Sequence, residues 1–401
     1  MDPFLRSQLR ERLRTRCDAE GWRAQIAQYG TPLLVLDPYR VVEQCRLLAS
    51  HLPGFRLHYA MKSASHPAVL RAVAAAGCGF DVASRAEIEL VGALGFSTDR
   101  CINTNPIKKL TDIDHAYVAG VRTFVVDNPV EAQKFAGLPA DIDILVRLAF
   151  GNPTAKSDLS TKFGVAPADA ELVVKHVLAT GVRFGGFSFH VGSQGTAVEP
   201  YRAALRGTLD LITHIDETLG VPTRIIDIGG GFPITYREPM PAIDAIAAVV
   251  DEVLGDRRDE FTLIAEPGRF LAADSMTLLT SVVGSAVRDG RHWYYLDDGL
   301  YGSYSNVMTE DVHPPILALR EIVDGVGGDE RVTLAGPTCD SADVIARDYP
   351  MPTLSVGDVV VSPMMGAYTS VTSSCFNGIP AHPDCRSVKA QQIYADAPML
   401  R

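Results

Sequence analysis

One pattern recurs along the middle of this 401-residue chain and limits what it can fold into. A short run rich in β-branched and aromatic residues ends in polar or glycine residues, and an alanine-rich stretch of helical character follows. Such runs stand at 55–61, 79–84, 100–105, 122–127, 143–149, 184–192, 224–228 and 262–266. Strands that alternate with helices pair in parallel, because each helix carries the chain back to the starting edge. Eight units of this spacing predict a (β/α)8 barrel, with a doubly wound open sheet as the alternative.

Helix punctuation agrees with those strand positions. Ser65 and Pro67 are placed to open a helix over 67–76, which Gly77 ends. Ser84 and Glu87 have the spacing of a capping box for 85–94. Asn128 and Pro129 do similar work before 130–136. After residue 270 the texture changes. Runs at 276–283, 293–296, 331–334, 356–361 and 387–394 read as strands between loops, so 270–401 is expected to be an all-β domain. The barrel domain then spans 31–269, although the strand at 33–37 precedes the barrel pattern and is compatible with the β-domain. Residues 1–30 form an N-terminal segment in which Leu5, Leu9 and Leu13 mark an amphipathic helix.

Composition excludes several function classes. An apolar share of 47% and a charged share of 21% are those of an ordinary globular protein. A formal charge of −11 argues against a nucleic-acid partner. The seven scattered cysteines show neither a disulfide framework nor zinc-ligand spacing, so no metal is expected. They suit a reducing, cytoplasmic setting. No apolar leader core and no run of about 18 apolar residues is present, so no membrane partner is expected.

In a barrel, catalytic residues collect where the strands end. Leu57, Tyr59 and Met61 alternate as in a strand and place Lys62 at its end. Burial of that ammonium would lower its pKa and make it a better nucleophile. A lysine that snorkels to the surface is the competing reading. Ile226–Ile228 runs into Gly229, Gly230 and Gly231, whose N–H groups can turn toward an anion and form a phosphate nest. A plain strand-to-helix turn would look the same. Glu266, Pro267, Gly268 and Arg269 put a carboxylate and a planar guanidinium three residues apart at the last strand. Asp81, Asn105, Arg147 and His190 also end strands, and Ser193 follows His190 closely. In the β-domain, 336–343 gathers turn residues around Cys339, Asp340 and Asp343, where Asp343 can cap a short helix at 342–347. Loops at 366–369 and 376–378 place Tyr368, Phe376 and Asn377.

Taken in order, these stretches resemble the fold-type III decarboxylases that use pyridoxal phosphate (PLP), and specifically their ornithine decarboxylase branch. The resemblance runs from about residue 30 to 396. It rests on YAMKS (59–63), GFDVAS (79–84), Asn105-Pro106, KFG (162–164), FHVGS (189–193), DIGGGFP (227–233), EPGR (266–269), DGLYGS (298–303), GPTCD (336–340), GAYT (366–369) and FNG (376–378). It implies that Lys62 carries PLP as a Schiff base, that His190 stacks on the ring, and that Glu266 pairs with the ring nitrogen. Ser193, Gly229 to Gly231, Arg269 and Tyr368 are implied to hold the phosphate, with Asp81, Arg147 and Gly268 lining the cofactor site. Cys339 corresponds to the proton donor, and Asp340 to a carboxylate that receives the substrate's distal ammonium. The family's sites form between two subunits, so a homodimer is implied.

The implied activity is decarboxylation of a basic L-amino acid: ornithine to putrescine, a step of polyamine synthesis, or lysine or a shorter diamino acid. One departure bears on substrate length. The family places an aspartate nine residues beyond the tyrosine of DGxYGS, whereas nine beyond Tyr301 is Glu310, between Thr309 and Asp311. The added methylene would bring the carboxylate about 1.3 Å nearer. A one-residue shift that turns Asp311 inward is the other possibility. Two further readings stand beside this one. A diaminopimelate-type decarboxylase would carry glutamate after the cysteine, which Cys339-Asp340 opposes. A non-catalytic homologue that binds other proteins would be expected to lose Lys62, Glu266, Arg269 or Cys339.

Overall fold

The computed structural model describes residues 3–379 and 384–387. Its first strand, β1 (Leu33–Leu36), is followed by eight that close on one another: β2 (Phe55–Ala60), β3 (Gly79–Val82), β4 (Cys101–Asn103), β5 (Thr123–Val126), β6 (Asp143–Leu148), β7 (Arg183–Phe189), β8 (Ile225–Asp227) and β9 (Thr262–Ala265). Each pairs in parallel with the next, and β2 pairs with β9 to complete the barrel. Helices connect most of these strands, so the (β/α)8 barrel expected from the sequence is present. The strand interiors are apolar: Phe80, Phe124, Ile144, Val146 and Phe187 are fully buried.

The helix starts show how local residues fix the turns. Ser84 Oγ accepts from Glu87 N at 3.3 Å, and the Glu87 carboxylate accepts from Ala83 N at 2.6 Å, so the capping box reaches one residue further back than usual. Asn128 Oδ1 accepts from Glu131 N at 2.9 Å. Ser65 does not open its helix. The cap of Pro67–Ala75 is His66, whose Nδ1 accepts from Ala68 N at 3.2 Å.

The second unit is a mixed sheet. After β9 come β10 (Met276–Arg288), β11 (Arg291–Leu296), β12 (Leu317–Ala318), β13 (Glu330–Ala335), β14 (Val344–Met351), β15 (Val359–Pro363) and β16 (Asp384–Ser387). They lie in the order β12-β15-β10-β11-β13-β14, and β1 joins through β10 and β16. Residues 356–358 belong to a turn rather than a strand, since Gly357 takes φ 94°. Residues 344–351 form β14, so no helix exists at 342–347 and Asp343 is not a helix cap. Of the strand expected at 387–394, residues 388–394 lie outside the described residues.

The chain divides into two compact units, but not at residues 30 and 269. Residues 3–41, 235–239 and the described residues from 272 onward form the β unit, while 42–234 and 240–271 form the barrel unit. The N-terminal helix Pro3–Glu20 is part of the β unit. Leu9, Leu13, Cys17 and Trp22 share one core with Leu33, Val35, Leu279 and Val361. Arg6 adds a two-pronged ion pair to Glu321 at 2.7 and 2.8 Å. The amphipathic pattern of the first residues is explained by this burial.

Candidate active site

Parallel strands in a closed barrel all end on one rim, and the chemistry of the barrel unit is there. Lys62 follows β2 directly, in the single turn Met61–Ser63. Its ammonium is not buried as the desolvation argument required. The side chain is 46% exposed, and Nζ lies 3.3 Å from Asp81 Oδ2. Asp81 is itself buried, so its charge, rather than an apolar wall, fixes the amine. The other oxygen, Oδ1, accepts from Thr104 Oγ1 at 2.5 Å. Thr104 was missed in the sequence because it follows a three-residue strand and carries no motif.

His190 follows β7, and Gly192 N–H donates to its Nδ1 at 3.0 Å. Nδ1 is therefore the acceptor, and a neutral ring keeps its proton on Nε2. Burial, then the charges of Arg147 and Lys62, hold this imidazole well below its ordinary pKa. It is a flat, neutral ring at neutral pH. Arg147, on β6, lies over the Phe163 ring at 5.7 Å.

Asp227 ends β8 and Glu266 follows β9. Burial raises the Asp227 carboxyl to about 6, against an accepted bond from Gly229 N at 2.9 Å. Burial, then the neighbouring Asp227 and Asp81, raises Glu266 well above the carboxylate range. Two buried carboxyls facing one another cannot both ionise, so they share a proton. A cation brought to this pair would restore the second charge.

The bend at Gly229–Gly231 leaves no room for side chains. A Cβ on Gly230 would lie 2.6 Å from Glu266 O and 3.1 Å from His190 Nε2. One on Gly231, where φ is 89°, would overlap Gly192 O. Tyr201 Oη donates to Gly230 O at 3.0 Å, and Gln194 exchanges two bonds of 2.9 Å with the backbone of Ile234. Tyr201 and Gln194 were not singled out in the sequence, because one sits in a long helix and the other reads as loop. Ser193 is tied to the 150–164 loop by paired backbone bonds with Ser157 of 2.9 and 3.3 Å. A Cβ on Gly268 would meet Ser63 and Ala60 at 3.2 Å, a tight contact, so glycine eases the close approach of the turn before the buried Arg269 to the lysine turn.

The β unit holds the remaining candidates. Tyr301 Oη donates to Asp340 Oδ2, and its ring stacks on Phe376 at 4.5 Å. Ala342 N also donates to Asp340, at 2.9 Å, and these two bonds hold its carboxyl below the usual range. The exposed Cys339 is fixed through its N–H, which Asn377 Oδ1 accepts at 3.0 Å. Asp343 anchors this turn. It accepts from Leu300 N at 2.8 Å and from Thr338 N and Oγ1 at 3.1 and 2.7 Å. Thr309 Oγ1 bonds back to Ser305 O at 3.0 Å, while half-buried Glu310 ends the helix Ser305–Glu310. Asp311 turns away with φ 52° and meets His313 Nε2 at 2.9 Å. Tyr368 takes φ 54° in its loop.

An aromatic aldehyde with a ring cation and a phosphate tail answers the rim feature by feature. The amine of Lys62, the proton-hungry Glu266 and the bare glycine bend fit it, and so the fold and rim define a PLP-dependent barrel enzyme. Comparison with known proteins gives the family: residues 39–273 match the description "Pyridoxal-dependent decarboxylase, pyridoxal binding domain". The chain is 35% identical over 353 residues to a lysine/ornithine decarboxylase of Selenomonas ruminantium, covering 87% of each. It is 34% identical to an ornithine decarboxylase of Caenorhabditis elegans, over 86% of this chain and 84% of that one. The crystal structure of a lysine/ornithine decarboxylase from Vibrio vulnificus complexed with putrescine superposes with a TM-score of 0.84 at 39% identity, over 92% of this chain and 97% of that one. The chain therefore belongs to the pyridoxal-dependent decarboxylases and is a carboxy-lyase. Among the described residues no helix is long and apolar enough to cross a membrane, and no group of side chains suits a metal ion.

Proposed function

We propose that this chain decarboxylates L-ornithine to putrescine. The observation that carries this choice is the Asp340 carboxylate beside Cys339, kept ionised by Tyr301 and Ala342 N and so ready for a substrate's distal ammonium. The names of the two relatives and the putrescine in the Vibrio vulnificus structure support it. Asp311 is committed to His313, which makes Glu310 our choice for a second contact to that ammonium, with Thr309 and Tyr301 framing it.

The cofactor, once bound, supplies the electron sink for the pair left when the bond from Cα to the carboxylate breaks. The chain supplies the rest. Asp81 orients the Lys62 amine that holds the cofactor. Glu266 offers a carboxylate to the ring nitrogen and keeps its proton there, and neutral His190 covers the ring face. Gly229 to Gly231, Ser193, Arg269 and Tyr368 are assigned to the phosphate, and Arg147 and Gly268 line the site. Cys339 Sγ delivers the proton to Cα. A thiol in that role must stay reduced, which fits our placement of the enzyme in the cytoplasm.

We also propose a homodimer in which Cys339 and Asp340 serve the partner's site. Mixing Lys62→Ala with Cys339→Ala chains tests it. Shared sites would restore about a quarter of wild-type turnover, because half the dimers would carry one intact site. Substrate choice is tested by carbon dioxide release from ornithine, lysine, diaminobutyrate, arginine and diaminopimelate. Ornithine is expected to give the highest kcat/KM. Turnover of diaminopimelate alone would overturn the assignment.

A further inference from the structure

The barrel has a second mouth, at the N-terminal ends of its strands, which the reaction does not use. A cavity of about 520 Å³ opens there. Its apolar wall includes Leu52, Phe55 and Leu57, and its polar lining includes Arg56, His58 and Arg100. The volume falls within the roughly 300–1,000 Å³ of small-molecule sites.

The charge of this lining is unbalanced. Arg100 Nη2 donates to Cys78 O at 2.6 Å, which uses one of the five donors on its guanidinium. Among the described residues neither Arg56 nor Arg100 forms an ion pair, in a chain whose formal charge is −11. A third guanidinium nearby, Arg258, lies over Phe55 at 5.5 Å but is already neutralised by Asp251. His58 lines the same cavity as a neutral ring, its pKa lowered to about 4 by burial; Asp81 and a backbone bond at Arg56 oppose that shift, and the charges of Arg56 and Arg100 add to it. Its Nδ1 is buried and makes no hydrogen bond of sound geometry. A Cβ on Gly79 would lie 2.5 Å from His58 Cδ2, so glycine there makes space for the ring. Two guanidinium groups and an imidazole line an apolar-walled hollow, and among the described residues no carboxylate belongs to that lining.

We propose that this cavity binds a small organic phosphate, a phosphomonoester with an apolar body. The dianionic head would bridge Arg56 and Arg100, since guanidinium forks match phosphate oxygens in pairs. The body would lie along Leu52 and Phe55, and His58, once near a dianion, would bind a proton more readily.

Calorimetric titration of the holoenzyme with phenyl phosphate tests this, because the bound cofactor already fills the rim site. One saturable site per chain is expected. Arg56→Ala and Arg100→Ala should each weaken binding about tenfold or more. Arg56 is exposed, and among the described residues its side chain forms no ion pair, so its variant stays informative even where Arg100→Ala fails to fold. The NMR titration midpoint of His58 should rise on binding. Absence of saturation, unchanged affinity in Arg56→Ala, or tighter binding of phthalate than of phenyl phosphate would overturn the proposal.

Discussion

At the barrel rim a Cβ on Gly230 would sit 2.6 Å from Glu266 O, and the bend yields little because the nearest atom is backbone. In the β unit the turn that carries Cys339 and Asp340 hangs instead on side chains, chiefly Asp343 and Asn377. The first region is fixed by the absence of atoms and the second by the presence of hydrogen bonds. Cofactor binding should therefore tolerate almost no change at the rim. The β-unit turn should respond to substitution in graded steps.

The largest effect should come from Lys62→Ala, which should cost about 10⁴-fold or more in kcat and abolish the visible absorbance of bound cofactor. Gly231→Ala follows. A side chain at φ 89° that also overlaps Gly192 O should weaken cofactor affinity about 100-fold, read by equilibrium dialysis. An effect below tenfold would break the contrast. Asp343→Ala leaves the N–H groups of Leu300 and Thr338 without their acceptor and should cost about 3 kcal/mol in denaturant unfolding. Cofactor affinity should stay near wild type, because the rim belongs to the other unit. Thr104→Val should lower kcat/KM about fivefold by loosening Asp81, and Thr104→Ser should restore it.

The smallest effect is one of pH. The Asp227 and Glu266 carboxyls have folded pKa values above their unfolded ones, so the folded chain binds protons more tightly. The stability of the cofactor-free chain should then fall as pH rises from 3.8 to about 6. Asp227→Asn should flatten that slope in thermal melts, and an unchanged slope would remove the shared proton from the account.

The same contrast explains what was legible in the sequence. Strand-ending residues announce themselves through periodicity, so Lys62, Asp81, His190 and Glu266 could be placed on one rim before any coordinates. Triple glycine was equally visible. The reason Lys62 is poised was not, because Asp81 and Thr104 come from neighbouring strands and meet the lysine only once β2, β3 and β4 pair. The role of Asp343 was misread for a related cause. A carboxylate after a turn looks like a cap, and only the pairing of β13 with β14 shows it reaching back to Leu300. The N-terminal helix showed its apolar stripe but not its destination, since its partners in β1, β10 and β15 are remote in the chain.

Two lysines compete for the cofactor on chemical grounds. Lys108 is buried, bonded to the carbonyls of Asn105, Pro106 and Val125, and lowered to about 8 by that burial. Lys62 has the rim, Asp81 and an accessible amine. Borohydride fixation of the holoenzyme, followed by peptide mass mapping, decides between them. The account predicts a single phosphopyridoxyl group, on the peptide that contains Lys62. A label on Lys108, or on any lysine away from the rim, would contradict it.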